Sequence, residues 1–459
     1  MKTKKLLSAV LAAVMLTGCM SGCGKEDSAQ KDGVTTVSIW GNGAGVNIEA
    51  GVAQKFNETI GAEKKIKIDY QVKEGDIQEQ IEIALQSGNA PDIFRVGKVK
   101  EMAEKKYIAP LTAFEGGQEI FDKSVAKGGS DDEDVTVADG VPYTITNSIL
   151  TWGLIYNVDM FKEAGLVDEN GNATPPQTWE EFRDYAKKLT NKEKRQYGTI
   201  LPMKWGGWFD YDILHSAKSS SPNLGFNTET MQYDYSDMNE MFNILLGIRD
   251  DGSCYPGSEG IDNDPARARF AEGNIGMKIS VSWDSGVFKE QFVPEFDWSV
   301  APIPTYSKDE KYKQFMMLSN GLFINNNVVG TPKQEAVFEV WKYWHGEEKA
   351  KILFEEGISI PLDYEIVKGI ETDTKGWKEF AQMKEISAAA PKALKTLTAG
   401  ETTLKELFVN EVWNGKMTVE EATAKYSEIA NAGIERYYEQ NKSASLEEDK
   451  KLVNKNSLR

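Results

Sequence analysis

Histidine is almost missing from this chain: His215 and His345 are the only two in 459 residues, and they lie far apart. An imidazole-based zinc site or histidine-driven acid–base catalysis has little to work with here. Cysteine is nearly as scarce, with Cys19, Cys23 and Cys254 making up the full set of 3, which excludes a disulfide-stapled scaffold. Positive charge is in deficit. Lys and Arg number 53 against 71 Asp and Glu, a net charge of −18, which argues against a nucleic-acid partner because phosphate binding needs clustered cations. Beyond the N-terminus no stretch reaches the roughly 18 apolar residues of a membrane helix. No P-loop and no G-x-S-x-G motif occurs.

What is present is ordinary globular material, 40% hydrophobic and long enough for two or three domains. It is preceded by an export signal. Lys2, Lys4 and Lys5 form a cationic head, and LLSAVLAAVML is an apolar run too short to span a bilayer. Leu16-Thr17-Gly18-Cys19 resembles the lipobox of bacterial lipoproteins, which implies cleavage before Cys19 and a lipid on its thiol; Cys23 is the alternative site. Residues 1–18 are therefore expected to be a signal peptide and 19–33 a flexible, lipid-anchored stalk. Cys254 is expected to be an inert loop or core thiol.

Strand and helix patterns then alternate. Val34–Trp40 and Ile66–Val72 have strand character, and Asp92–Val96 follows them as a third strand. Val52, Phe56 and Ile60 share one helical face, and Asp76 caps a helix carrying Ile77, Ile81 and Leu85 that Gly88 closes. Thr178 with Glu181, and Thr418 with Glu421, have capping-box spacing. Asp264-Pro265 and Thr331-Pro332 each suggest a cap followed by a first-turn proline. Gly153–Asn157, Ile275–Val281 and Trp298–Pro304 read as further strands. The alternation favours an α/β chain with largely parallel sheets, and the polar segment after Asn441 is expected to fray.

In order along the chain come Gly88-Asn89-Ala90-Pro91-Asp92-Ile93, Ala138-Asp139-Gly140-Val141-Pro142-Tyr143, and Ile155-Tyr156-Asn157-Val158-Asp159-Met160-Phe161-Lys162-Glu163-Ala164-Gly165-Leu166. Pro175-Pro176-Gln177-Thr178-Trp179-Glu180-Glu181-Phe182, Phe270-Ala271-Glu272-Gly273-Asn274-Ile275-Gly276-Met277 and Val300-Ala301-Pro302-Ile303-Pro304 follow, then the helix from Lys333 to Phe354. Their order and spacing resemble the extracellular solute-binding proteins of ABC importers, in the sugar-binding family that includes maltose-binding protein. The resemblance implies a two-lobed periplasmic-binding-protein-like α/β fold, with a ligand cleft between lobes joined by hinge strands. It implies lobe one at 34–147 plus 308–358, lobe two at 148–305 plus 359–445, and a polar tail at 446–459. It also implies a carbohydrate ligand, the permease subunits of an importer as partners, a monomer, no catalytic residues, and neither cofactor nor metal. With the lipid anchor, the location is the outer face of the cytoplasmic membrane.

A sugar ring has one apolar face and a hydroxyl rim, so its site needs flat aromatics and planar polar groups. Trp40 and Asn42 end the first strand, and Trp283 with Asp284 follows Ile275–Ser282, where sugar-binding relatives carry a stacking ring. Trp152, Trp205 and Trp208 are ligand candidates that would serve equally as core or transporter contacts. Arg95, Asn147 and Asn320 are the polar candidates. Lys98 also aligns roughly with sugar-contacting positions of relatives, though residue types there differ from those of maltose-binding protein. Asp92 is expected to order its own turn. Trp179, Trp298, Trp341 and Trp344 are expected in the core. Two motifs point elsewhere and are set aside. Gly41-Asn42-Gly43-Ala44-Gly45 misses dinucleotide spacing by one residue, and Asp131-Asp132-Glu133-Asp134 lacks the alternation of a calcium loop. The competing functions are an exported carbohydrate-active enzyme and the same fold carrying a peptide, polyamine or glycerol phosphate.

Overall fold

A computed structural model describes residues 30–453 apart from 32, 43–44, 134, 219–220, 222–224, 310–311, 391 and 443. The signal segment and both lipidation candidates, Cys19 and Cys23, lie outside the described residues, as does Asp134.

Two sheets organise the chain. The first is built around Val34–Gly41, which runs parallel to Ile66–Val72 and to Ile93–Phe94, with Phe323–Ile324 antiparallel at the far side. The alternation in Ile66–Val72 puts Ile66 and Ile68 inward against Val37, Ile39, Val52 and Phe56. The Asp76 carboxylate accepts from the N–H groups of Gln78 and Glu79, and Gly88 closes that helix in the left-handed region, so helix Ile77–Ser87 starts and stops where its local chemistry says. Trp341 and Trp344 of helix Gln334–Trp344 are 0% and 2% exposed and seal this core.

The second sheet departs from the expected parallel order. Its axis is one long strand, Thr146–Asn157, and every strand hydrogen-bonded to it runs antiparallel. Residues 146–151 pair with Gln314–Asn320 and Ile360–Pro361, and residues 152–157 pair with Ile275–Val281 and Trp298–Ala301. Tyr197–Thr199 adds parallel to Ile275–Val281. Antiparallel order follows from a chain that passes from one lobe to the other and returns. A core of Ile149, Phe354, Ile360, Leu362, Val367 and Trp377 packs around the half of the long strand where these returns occur.

Local signals hold with adjustments. The Thr418–Glu421 capping box is complete. At Thr178 only the forward arm forms, since the Glu181 carboxylate accepts instead from the Gln177 N–H at 2.7 Å. Helix Asn263–Ala271 begins two residues earlier than the proline suggested, capped by Asp262. Helix Gln334–Trp344 begins later, after a turn in which Thr331 caps Lys333. Strand Ile93–Phe94 is two residues long. The segment after Asn441 does not fray within its described part. Ser445 caps a helix over Leu446–Leu452, Tyr438 donates to Asp449 at 2.6 Å, and Val453 buries beside Phe226, Leu394 and Ile434.

Candidate functional site

Trp40 closes its strand half-buried, with the Lys73 ammonium 4.1 Å above its ring, and Asn42 stands exposed beyond it. Behind them is a buried ion pair. Glu49 accepts from the Tyr70 hydroxyl at 2.6 Å and from Lys349 at 2.7 Å, and Lys349 in turn lies over the Trp344 ring. Burial pushes the Glu49 carboxyl up, and Lys349 and Tyr70 more than reverse this, leaving it below the usual range. Burial also raises the Tyr70 phenol, helped by Glu49, and lowers Lys349.

Arg95 and Asn320 come together. The Arg95 guanidinium donates to the Asn320 carbonyl at 3.0 Å, while the Asn320 amide donates to Val135 at 2.9 Å. Both line a pocket of about 570 Å³ with Gln78, Glu82 and Lys98. Arg95 is exposed by area yet lies down in this pocket, where lost hydration lowers its guanidinium against the pull of Glu49. Among the described residues it has no carboxylate within ion-pair distance. Next to it His345 is structural. Its Nε2 accepts from the Leu322 N–H at 2.8 Å and its Nδ1 donates to Trp341 at 2.7 Å, and burial pushes its pKa down to about 3.

In the second lobe the expected aromatics divide. Trp205 and Trp283 are half-buried, with Tyr211 6.0 Å from Trp205. Trp152 and Trp208 are each 1% exposed. Trp152 packs between Tyr211 and Phe315, and Trp208 packs against Phe408. Asp284 likewise departs from a cleft-facing role. It is 1% exposed, accepts from Arg267 Nε at 3.0 Å, and lies 3.6 Å from the Lys278 ammonium. Asn147 faces a separate pocket of about 200 Å³ with Lys127 and Asp363.

One side chain joins the two halves. A Cβ on Gly45 (φ +82°) would lie 2.9 Å from Ile358 Cγ2, and one on Gly286 would lie 3.5 Å from Ile358 Cδ1. The loop after Trp40 and the helix start after Trp283 therefore meet across Ile358, and the approach at Gly45 depends on glycine. Lys289 adds a bridge to Asp373 at 2.8 Å and to Glu356 at 3.7 Å.

Several side chains escaped sequence reasoning: Tyr70, Tyr211, Asp212, Arg267, Lys278 and Lys349. One carried a signal, since Lys278 is the lone charge in the otherwise uncharged strand Ile275–Val281, all of it buried. The acidic run is explained by pairing. Asp131 and Asp132 meet Lys392 at 2.8 and 3.0 Å, and Glu133 accepts from the N–H groups of Asp139 and Gly140. Asp92 ties Ser38 to Lys333. Cys254 is buried, which pushes its thiol up to about 11. Among the described residues no acidic, His and Cys cluster could hold a metal, and no helix is long and apolar enough to cross a membrane.

Two α/β lobes joined through a long crossing strand are the architecture of the two-lobed binding proteins. The chain belongs to the bacterial extracellular solute-binding protein family, which it matches over residues 44–351. It is 26% identical over 304 residues to the sn-glycerol-3-phosphate-binding periplasmic protein UgpB of Escherichia coli, covering 62% of this chain and 64% of that relative's length. Solved structures share the fold. The sugar-binding protein MalE of Xanthomonas citri is 18% identical with a TM-score of 0.66, covering 90% of this chain and 100% of that one. The ABC substrate-binding protein Lmo0181 of Listeria monocytogenes, solved with cycloalternan, is 20% identical with a TM-score of 0.63, covering 86% of this chain and 98% of that one.

Proposed function

We propose that this protein is a lipid-anchored extracellular receptor that captures a carbohydrate, an oligosaccharide by preference, and hands it to the permease of an ABC importer by hinge closure. The observation that carries this reading is that Trp40 and Trp283 are half-buried rings on segments whose glycines, Gly45 and Gly286, both approach Ile358. Two such rings stack on opposite parts of a sugar chain, and closure occurs because ligand bridges both lobes and shifts an open–closed equilibrium. Arg95 and Asn320 supply hydroxyl partners from the first lobe. The working lobes are 34–147 with 308–358 and 148–305 with 359–445. Cys19 carries the lipid, Cys23 being the alternative, and the chain works as a monomer without chemistry of its own.

The test is intrinsic tryptophan fluorescence of the lipid-free mature protein titrated with neutral oligosaccharides, each recovered for mass spectrometry. Saturable change with intact sugar supports the reading, and cleaved sugar overturns it in favour of a carbohydrate-active enzyme. Trp283→Ala is expected to weaken sugar binding by about tenfold or more with little loss of stability, since an aromatic stack contributes about 0.5–1.5 kcal/mol beyond area burial. A second reading, glycerol phosphate as cargo, is favoured by the UgpB relative and by the Arg95 guanidinium, whose partner is a carbonyl and which meets no carboxylate among the described residues. Response to sn-glycerol 3-phosphate and to no sugar would establish it. The mass of the membrane-extracted mature chain, with and without Cys19→Ser, checks the anchor.

A further inference from the structure

We infer that the Arg95 pocket is an acid-recognition subsite, and that the preferred cargo is a carbohydrate carrying a carboxylate, a uronic-acid oligosaccharide, rather than a neutral one. Of the arginines among the described residues, Arg183, Arg249, Arg267, Arg269 and Arg436 each meet a carboxylate at 3.4 Å or less. Arg195 stands exposed in a surface turn. Arg95 instead lines a pocket of about 570 Å³, a size that suits a small-molecule ligand, with no carboxylate within ion-pair distance among the described residues. Carboxylates are not scarce, since 71 acidic residues stand against 53 basic ones. A guanidinium left without one in such a chain is placed for a partner that comes from outside.

The guanidinium is held from one side. Its Nη1 donates to the Asn320 carbonyl at 3.0 Å, and the Asn320 amide is itself fixed on Val135 at 2.9 Å. The backbone just after Arg95 is clamped where the Gln78 side-chain oxygen accepts from the Gly97 N–H at 3.1 Å. Nε and Nη2 make no hydrogen bond among the described residues, and that edge of the fork matches the two oxygens of a carboxylate. Glu49, whose charge also acts on Arg95, is already engaged by Tyr70 and Lys349, and His345 stays neutral with its pKa pushed down to about 3. The positive charge is therefore not cancelled from within. Lys98, largely exposed and 3.9 Å from Glu101, adds a second cation to the lining, while Glu82 and the Asn320 carbonyl are acceptors for hydroxyls. Acceptors beside one fixed guanidinium disfavour a phosphate dianion and suit a single negative charge flanked by hydroxyls, which is the chemistry of a sugar acid. Val96 and Phe323, which also line the pocket, belong to the buried cluster against which Trp40 packs, so this subsite and the candidate stacking ring rest on the same packing.

This deepens the carbohydrate reading and rests on it. The test is calorimetric titration of the lipid-free mature protein with short oligomers of galacturonate, glucuronate and mannuronate, each beside its neutral methyl ester, and with maltotriose and sn-glycerol 3-phosphate. At least one acid is expected to bind about tenfold or more tighter than its own ester, an advantage that shrinks as salt is raised to about 0.5 M. Arg95→Gln should weaken that acid by about a hundredfold and its ester by about threefold, with the unfolding midpoint close to wild type. Arg95→Lys should restore part of the loss, because it keeps the charge without the fork. Glu82→Gln should tighten the acid by about threefold by removing a like charge from the pocket. Esters or maltotriose bound as tightly as every acid, or Arg95→Gln weakening acid and ester alike, overturn the inference and leave the carbohydrate reading standing. Binding of sn-glycerol 3-phosphate with none of the sugars or acids overturns both. Should Arg95→Gln not fold, the wild-type comparison of acid with ester and the Glu82→Gln titration decide it.

Discussion

Each lobe keeps buried charge behind its share of the site, but the two arrangements differ in completeness. In the first lobe Glu49 is met on both oxygens, by Tyr70 and by Lys349, and Lys349 also rests on the Trp344 ring. In the second lobe Asp284 meets Arg267 and Lys278 while the buried Asp212 has no ion pair among the described residues, and one oxygen of each aspartate is left without a hydrogen bond. A satisfied pair is rigid, and a half-satisfied cluster is responsive, because only the second has alternative bonds of similar energy. On this comparison the Glu49 arrangement is the fixed one and the aspartate arrangement the adjustable one.

The largest expected effect breaks the fixed arrangement. Lys349→Met leaves the half-buried Glu49 carboxylate with the Tyr70 hydroxyl but no cation, and should cost about 3 kcal/mol in urea unfolding at pH 7. Most of this should return in Lys349→Met with Glu49→Gln. The folded-state value of Glu49 is depressed, so its contribution is present above the ordinary glutamate range and lost as pH falls through the folded value. Loss of wild-type stability on acidification should therefore shrink in the double variant.

Asp212→Asn acts in the opposite sense. With a folded-state value of about 7, Asp212 holds a proton that the unfolded chain has released, so wild-type stability declines as pH rises from the ordinary aspartate range to about 7. The asparagine variant should be more stable than wild type by about 1–3 kcal/mol at pH 8, with the advantage vanishing near pH 4, in paired denaturation curves. Equal gaps at both pH values would put the two lobes on the same footing.

Gly286→Val adds bulk where even a Cβ would lie 3.5 Å from Ile358 and 3.3 Å from the Gly357 carbonyl. Closure should become harder while each lobe stays folded. Titration should show about tenfold weaker ligand binding, or about 1.4 kcal/mol, with an unfolding midpoint close to wild type. The smallest effect is expected at the surface, where Lys392→Ala releases Asp131 and Asp132 for at most about 1 kcal/mol, and less in high salt.

How much was legible beforehand follows the range of the interaction. Strand Ile275–Val281, the Asp76 cap, the Thr418 capping box and the helical face of Trp341 and Trp344 are written in residues a few positions apart, and the structure bears each of them out. The ordered family segments pointed to two lobes before any strand was paired. The sheet direction was missed because the long strand's partners come from residues 275–301, 314–320 and 360–361, and periodicity carries no information about direction.

Sorting the tryptophans shows the same boundary. Trp205 and Trp208 share one glycine-rich loop, yet one is half-buried and the other is sealed under Phe408. Trp152 is covered by Phe315, and Asp284 is turned inward by Arg267 and Lys278. The sequence by itself determined most elements, the caps at Asp76 and Thr418 and the family, since backbone hydrogen bonds and side-chain periodicity depend on near neighbours. Which rings and carboxylates are buried and which stay accessible was decided only in three dimensions, because burial depends on what the distant chain lays over each side chain.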